Sequence, residues 1–275
     1  MTEAQTRTFN APDGTSLFLR TWQPVGAPVG AILLCHGLGE HSGRYAHVAD
    51  ALVQAGFSVW AQDHRGHGQS PGARGALRSA DDLVVDSEAI LKALATETGL
   101  TPFVLGHSMG GPVAGMIALR GKVPIKGLVL SSPALLTNAS GGLIAFGKAL
   151  SGLLPNLPMS NQLDRNAVAR DPDVIAAYAS DPLVHGTITP RLFAWIIGSG
   201  EALRAAASTW KTPTLLMFAG MDKLVNPQGA RAFGAALPAG VGEVTEYPAF
   251  FHEIFNDPEK AQPLAQLVRW LAARR

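Results

Sequence analysis

The sequence predicts an α/β fold with a mostly parallel central sheet flanked by helices. Short, continuous apolar runs alternate with segments of helical periodicity, which is typical of parallel strands buried on both faces. One of these runs leads into the turn Gly106-His-Ser-Met-Gly110 and then into a helix of small residues. The alternation stops between residues 132 and 211, which indicates a helical cap inserted after the next strand. We therefore assign 1–131 and 212–275 to the core and 132–211 to the cap.

Composition limits the classes of protein to be considered. The 275 residues are 47% hydrophobic and 16% charged, which suits one large domain with a sizeable core. The net charge is +1 and no stretch interleaves basic and aromatic residues, so no nucleic-acid partner is expected. The single cysteine, Cys35, excludes an intrachain disulfide and fits a reducing compartment. Residues 1–7 are polar and no apolar run is long enough for a membrane span, so we expect a cytoplasmic protein.

The chain before the turn alternates strand and helix signals. A polar–apolar pattern at 15–22 predicts a strand of an antiparallel hairpin, and apolar runs at 30–35 and 57–61 predict central parallel strands. Helical spacing of apolar residues predicts helices over 45–55 and 81–98. Because parallel strands are joined by right-handed crossovers, their carboxyl ends should meet at one edge of the sheet.

The chain after the turn repeats this pattern. Strands are predicted at 127–130, 214–218 and 244–247, and helices at 228–237 and 264–271. In the cap, helices are predicted at about 166–178 and 190–207. No buried strand pattern is found in the cap.

The turn at 106–110 has the form Gly-x-Ser-x-Gly, known as a nucleophile elbow. In such a turn a serine is held in a strained conformation at the end of a strand, and a helix begins beside it. Gly106 and Gly110 let strand and helix approach closely, since neither has a Cβ. The N–H groups at the helix start favour an oxyanion there. Because the pattern is short, a glycine turn with an incidental serine is the competing interpretation.

A serine hydroxyl becomes a good nucleophile when a base takes its proton and a third group orients the base. Ser108, Asp222 and His252 each follow a predicted strand and occur in the order that α/β-hydrolases use. We predict Ser108 as the nucleophile, His252 as the base and Asp222 as the acid that orients it. A turn-forming aspartate is the alternative for Asp222.

Other acids and histidines fit this arrangement less well. Asp63 follows a strand but precedes the turn, and the strand after the turn ends in two serines without a carboxylate. His107 is next to the nucleophile but points from a different position of the turn. His64 and His67 lack the carboxylate–histidine cluster that a metal site would need, so no metal and no cofactor are expected.

An oxyanion hole needs two backbone N–H donors. One donor should be Met109, the residue after the nucleophile. The other should come from the loop after the strand 30–35, and Leu38 is the predicted residue. The side chains of both residues matter little because the main chain donates, and His36 and Gly37 are expected to shape the loop.

Several longer motifs resemble the monoacylglycerol lipase family of the serine α/β-hydrolases. The most specific are Gly39-Glu-His-Ser-Gly-Arg-Tyr45 and, in the cap, Ser180-Asp-Pro-Leu183. The other matching motifs lie at 36–38, 63–70, 106–111, 220–222 and 247–253. The resemblance therefore extends over nearly the whole chain.

The resemblance implies the triad and oxyanion donors given above and adds three substrate-binding residues. Glu40 and Arg44 would shape the polar, glycerol-facing end of the site, and Tyr178 would be a gate residue near it. For Glu40 and Arg44, a plain ion pair one helical turn apart is an equal alternative. The resemblance also implies a hydrophobic acyl tunnel in the cap and an outer cap face that contacts membranes.

The sequence therefore predicts a serine hydrolase that cleaves monoacylglycerols to fatty acid and glycerol through an acyl-enzyme. A broader carboxylesterase or lysophospholipase with the same triad is the nearest alternative. A ligand-binding module on a hydrolase scaffold is the alternative from another class. The expected partners are a single-chain lipid ester and the membrane or micelle surface that carries it.

The first part of the cap, 136–158, is rich in Leu, Ile, Phe and Gly and has one charge, Lys148. Apolar surface exposed to water is unfavourable by about 25 cal/mol per Å². Three interpretations follow: this segment lines the acyl tunnel, contacts a lipid surface, or forms ordinary core between cap and sheet.

Overall fold

A twisted sheet of eight strands forms the centre of the protein in a computed structural model that describes residues 3–275. Met1 and Thr2, the first residues of the polar N-terminal run, lie outside the described range. The strands, in chain order, are β1 (Gln5–Asn10), β2 (Ser16–Trp22), β3 (Gly30–Cys35), β4 (Phe57–Gln62), β5 (Phe103–His107), β6 (Gly127–Ser131), β7 (Met159–Ser160), β8 (Thr187–Ile188), β9 (Thr214–Ala219) and β10 (Gly242–Tyr247).

The large sheet has the strand order β1-β2-β4-β3-β5-β6-β9-β10, and β7 and β8 form a separate ladder. Strand β2 pairs antiparallel with both β1 and β4, and every other neighbouring pair of the large sheet is parallel. The carboxyl ends of β3, β5, β6 and β9 therefore lie at one edge. This is the edge at which the predicted site residues were expected.

The described range contains eight α-helices: α1 (Ala46–Gln54), α2 (Asp82–Thr98), α3 (Gly110–Arg120), α4 (Gly141–Leu153), α5 (Pro172–Ser180), α6 (Pro190–Ala206), α7 (Pro227–Ala236) and α8 (Ala261–Ala272). Helices α2 and α3 pack on one face of the sheet, and α1 and α8 pack on the other. Every residue of β3 is buried, with Leu33 packed in the same apolar cluster as residues of α2 and α3, and Leu34 in the cluster of α1 and α8. Burial on both faces explains why the sequence of β3 is continuously apolar.

The segment between β6 and β9 adds no strand to the large sheet within the described range. It holds α4, α5, α6 and the small β7–β8 ladder, which sequence periodicity had not indicated because each strand has only two residues. The predicted start of the helix 166–178 is wrong. Helix α5 begins at Pro172, where the Asp171 side chain accepts a hydrogen bond from the Asp173 N–H and proline occupies the first turn.

Candidate active site

The turn between β5 and α3 holds Ser108 in the left-handed backbone region, with φ of +52°. This conformation is unfavourable for a residue with a Cβ, by about 1 kcal/mol or more, so neighbouring structure must impose it. The Ser108 N–H donates to the Ser131 carbonyl at 3.0 Å, and the Ser108 carbonyl accepts from the N–H groups of Gly111 and Ala134. The strained turn predicted from the sequence is therefore present.

Asp222 and His252 are hydrogen-bonded at the same edge of the sheet. Nδ1 of His252 donates to Oδ2 of Asp222 at 2.6 Å, and both side chains are buried. The other carboxylate oxygen of Asp222 accepts from the N–H groups of Leu224 and Val225 at 2.9 and 3.0 Å. These bonds fix the carboxylate and leave Nε2 of the neutral imidazole without a proton, so that this atom is free to act as a base.

The surroundings of His252 control its charge. Burial disfavours the imidazolium, but the Asp222 carboxylate outweighs burial and raises the pKa of His252 above its ordinary value. The ring of His107 lies 4.8 Å from the ring of His252. Burial lowers the pKa of His107 to about 3, so this neighbour stays neutral and does not repel the imidazolium.

The predicted oxyanion loop, residues 36–41, follows β3 and faces the turn of Ser108. Among residues 3–275, no protein acceptor receives a hydrogen bond from the N–H of Leu38 or of Met109. Both residues line one cavity together with Ser108. Their positions suit two donors to an oxygen bound at Ser108.

The ring of His36 is hydrogen-bonded to the predicted oxyanion loop and to the loop after β4. Its Nδ1 contacts the Gly37 carbonyl at 2.7 Å, and its Nε2 accepts from the His64 N–H at 2.9 Å. Burial holds the pKa of His36 well below its ordinary value, so the ring is neutral, as these two bonds require.

Glu40, Arg44 and Glu253 form a buried ionic cluster beside His252. Arg44 donates to Glu40 Oε2 at 2.6 Å and to the two oxygens of Glu253 at 2.6 and 2.7 Å. Oε1 of Glu40 accepts from the Gly37 N–H and from the Tyr45 hydroxyl, both at 2.6 Å. The ion pair one helical turn apart is therefore present, and it also supports the oxyanion loop.

A small cavity of about 20 Å³, with both polar and apolar side chains in its wall, lies between this ionic cluster and Ser108. Ser108, His252, Glu40 and Tyr178 line it. The Tyr178 ring is stacked on the Arg44 guanidinium, whose central carbon lies 4.6 Å from the ring centroid. Arg44 thus contacts the wall residues of this cavity and is not itself one of them.

An apolar cavity of about 160 Å³ also begins at Ser108 and His252. Its walls come mainly from the segment between β6 and β9, including Leu135, Ile144, Ile188, Phe193, Ile196 and Ile197. A second cavity of about 390 Å³ shares Leu163, Phe193 and Leu224 with the first and extends to Leu143 and Phe146 of α4.

Comparisons with known proteins agree with this geometry. The profile of the family described as serine aminopeptidase, S33, matches residues 26–259. A monoacylglycerol lipase of Mycolicibacterium smegmatis is 36% identical, over 96% of each chain. The chain belongs to the monoacylglycerol lipase family of the serine α/β-hydrolases. A monoglyceride lipase of Rattus norvegicus is 30% identical over 95% of this chain and 88% of the relative.

Solved structures support the same assignment of this hydrolase. The crystal structure of Paleococcus ferrophilus monoacylglycerol lipase superposes with a TM-score of 0.86 at 34% identity, covering 94% of this chain and 99% of the other. Among residues 3–275 of the hydrolase, no helix is long and apolar enough to cross a bilayer. The same residues contain no cluster of His, Cys, Asp and Glu that could hold a metal ion.

One residue of the hydrolase's site was missed from the sequence. Glu253 directly follows His252, and its carboxylate is buried at the edge of the small cavity. Its partner Arg44 is 209 positions away in the chain, so no local pattern indicates the pair. The only available signal was an acid inside the matching motif 247–253.

Proposed function

We propose that this hydrolase cleaves the ester bond of monoacylglycerols to a fatty acid and glycerol, using Ser108, His252 and Asp222. The observation that carries the proposal is that Ser108 and His252 border both an apolar cavity and a small cavity with Glu40, Tyr178 and Glu253 in its wall. The apolar cavity suits an acyl chain, and the polar groups in the wall of the small cavity suit the hydroxyl groups of glycerol.

In the proposed mechanism, Oγ of Ser108 attacks the ester carbonyl carbon while Nε2 of His252 takes the hydroxyl proton. The tetrahedral oxyanion accepts hydrogen bonds from the N–H groups of Leu38 and Met109. When the intermediate collapses, the C–O bond to glycerol breaks and glycerol takes the proton from His252. Water, deprotonated by His252, then attacks the acyl-enzyme and releases the fatty acid and free Ser108.

We also infer that residues 132–211 act as a cap over a core of 1–131 and 212–275. The support is that this segment supplies most of the wall of the apolar cavities. On its outer side, Leu143 and Phe146 are 49% and 58% exposed. An exposed apolar helix face beside a lipid-binding cavity suits contact with a membrane or micelle surface. The lone, buried Cys35 fits a cytoplasmic enzyme that meets this surface peripherally.

A broader carboxylesterase or a lysophospholipase would use the same triad. The small cavity favours glycerol, because glycerol is uncharged whereas a phosphocholine group carries a phosphate charge. Glu40 and Glu253 in its wall would also repel that phosphate. The geometry therefore favours the monoacylglycerol over the lysophospholipid.

A substrate panel tests the proposal. We expect kcat/KM for a long-chain monoacylglycerol to exceed that for lysophosphatidylcholine by roughly a hundredfold. A highest kcat/KM for short-chain esters would indicate a broad carboxylesterase instead. Tight binding of monoacylglycerol without turnover would indicate a ligand-binding module and overturn the proposal.

A further inference from the structure

The ionic cluster beside the triad has two carboxylates and one cation. Glu40, Arg44 and Glu253 are all largely shielded from water, with side-chain exposures of 4%, 11% and 6%. Every hydrogen bond at the two carboxylates is one that they accept, as ionised carboxylates do. The cluster therefore has a net negative charge in a region of low dielectric.

Arg44 keeps the carboxyl group of Glu253 ionised. Burial opposes ionisation of Glu253, but the two bonds from Arg44 outweigh burial and hold its pKa below the ordinary value. The pKa of Arg44 is raised well above its ordinary value by Glu253 and Glu40, in spite of burial, so the guanidinium stays charged. Asn256 donates a further bond to Glu253 at 2.9 Å.

The cluster also connects two parts of the site that are distant in the chain. At one end, Glu253 is the neighbour of His252, and its N–H donates to the Val168 carbonyl at 2.8 Å. At the other end, Glu40 accepts from the Gly37 N–H, next to the predicted oxyanion donor Leu38. Arg44 contacts both carboxylates, so one guanidinium links the residue after His252 to the predicted oxyanion loop.

We propose that Glu253 is a positioning residue of this hydrolase, acting on both sides of the reaction. Through Arg44 and Glu40 it fixes the oxyanion loop relative to His252. Its negative charge also stabilises the imidazolium that forms when His252 takes the proton of Ser108. The inference rests on the proposed function, since it assumes that His252 is the base.

The other charged and titratable groups around His252 support this role. Asp222 bonds to Nδ1, and His107 is neutral. Asp222, Glu253 and Glu40 all favour the charged form of His252, with Asp222 contributing most. Arg44 is a buried positive group near this site, and Glu253 binds it through two bonds, so loss of Glu253 would also leave Arg44 less neutralised. Both consequences lower the pKa of His252.

Glu253→Gln tests the charge. The glutamine keeps the shape of the side chain but removes its charge, so the low-pH limb of the kcat/KM profile should move to lower pH by roughly half a unit to one unit. The kcat at neutral pH should fall by roughly tenfold, because the imidazolium is less stabilised. A soluble p-nitrophenyl ester is the substrate, which keeps lipid binding out of the measurement.

Glu253→Asp tests the positioning. Aspartate keeps the charge but is too short to form both bonds with Arg44 in place, so kcat should fall by roughly tenfold while the low-pH limb stays where it is. The rate of labelling by a fluorophosphonate, which needs both the nucleophile and the oxyanion loop, should fall to a similar extent.

Asp86→Asn is the matched control. Asp86 is also buried and also forms two bonds of 2.7 Å with an arginine, Arg65, but neither residue borders the cavities of Ser108. The thermal stability of Asp86→Asn should fall as it does in the Glu253 variants, but the low-pH limb of its kcat/KM profile should not move. Thermal unfolding of all three variants identifies any that do not fold, and the conclusion is drawn from those that do.

The outcomes separate this inference from the proposed function. A low-pH limb that does not move, or that moves to higher pH, in folded Glu253→Gln would overturn the role of the charge. Unchanged kcat in Glu253→Asp would overturn the positioning role. A wild type with no low-pH limb at all would instead contradict His252 as the base, and with it the proposed mechanism.

Discussion

Gly106 at the end of β5 and Gly110 at the start of α3 lie so close that a Cβ added to Gly106 would come within 2.0 Å of the Gly110 carbonyl oxygen. A Cβ on Gly110 would lie 2.1 Å from the Cys35 carbonyl oxygen. Backbone atoms cannot move aside as a flexible side chain can, so both positions exclude any larger residue. These contacts set the distance from the nucleophile turn to the end of β3, where the oxyanion loop begins.

Gly106→Ala should therefore destabilise the protein strongly. We expect the free energy of unfolding to fall by about 3 kcal/mol or more, because the added methyl group overlaps the backbone of α3. Chemical denaturation with far-ultraviolet circular dichroism measures the change. Gly142→Ala in α4 is the control: no atom lies within 4 Å of its added Cβ, so its stability should change by less than about 1 kcal/mol. Equal stability of the two variants would show that the turn is more adaptable than its geometry indicates.

Replacement of Ser108 should remove activity without unfolding the protein. Ser108→Ala should lower kcat by roughly 10⁴-fold or more, and a fluorophosphonate should label only the wild type, at Ser108. Because φ of Ser108 is +52°, Ser108→Gly should be more stable than Ser108→Ala by about 1 kcal/mol. Labelling of another residue, or an active alanine variant, would reject Ser108 as the nucleophile.

The pH dependence should follow the charge of His252. Burial lowers the pKa of His252, but Asp222 outweighs burial and raises it, so the low-pH limb of kcat/KM should lie above the ordinary histidine value of about 6.5. Activity should fall as the pH drops through this limb, because the protonated ring cannot accept the proton of Ser108.

Asp222→Asn tests the cause of this shift. The substitution should lower the pKa of His252, measured by NMR titration in the inactive Ser108→Ala background. In the active enzyme it should lower kcat by roughly 10⁴-fold, as expected when the base loses its orienting acid. If His252 has the same pKa in Ser108→Ala and in the Ser108→Ala, Asp222→Asn double variant, Asp222 does not control the charge of the base.

The sequence predicted the central sheet well because burial on both faces leaves a clear signal. The run 30–35 matches β3 to the residue, and 127–130 misses only the last residue of β6. Ser108 and Asp222 follow from the same signal, since each lies after a buried parallel strand, whereas His252 follows the edge strand β10, which is only partly buried. The bond between Asp222 and His252 joins the residues predicted as acid and base.

The first two helices between β6 and β9, α4 and α5, were harder to predict because each buries only one residue. Helix α4 was not assigned, and Gly147 is its only buried residue, so its apolar side chains have no regular pattern facing a core. The helix is marked by a cap signal instead: the Ser140 side chain accepts from the Leu143 N–H at 3.3 Å. The start of α5 was placed six residues too early, at 166. Asp171 and Pro172 are the actual start signal, since the aspartate caps the helix and proline fits its first turn.

The structure decides against one of the three interpretations of the segment 136–158. Leu143, Phe146 and Leu153 are 49%, 58% and 79% exposed, so these side chains are not ordinary core. Leu136 and Ile144 border the apolar cavity next to Ser108. Leu143 and Phe146 also border the second cavity, so a tunnel wall and a lipid-docking surface both stay predictions for this segment.

Substitutions on the outer face of α4 should separate docking from catalysis. Phe146→Asp or Leu143→Asp should weaken binding to liposomes by about tenfold or more. The apolar side chain that is lost would gain up to about 3 kcal/mol on transfer from water into lipid, and the charge that replaces it would not. Turnover of a long-chain monoacylglycerol should fall with liposome binding, whereas turnover of a short soluble ester should change little.

Val25→Asp is the control. Val25 is an exposed apolar residue outside the segment 132–211 and borders none of these cavities, so this variant should leave both activities unchanged. Equal losses on both esters would indicate a damaged site or fold, and no loss on either would mean that this face neither docks on lipid nor guides the acyl chain.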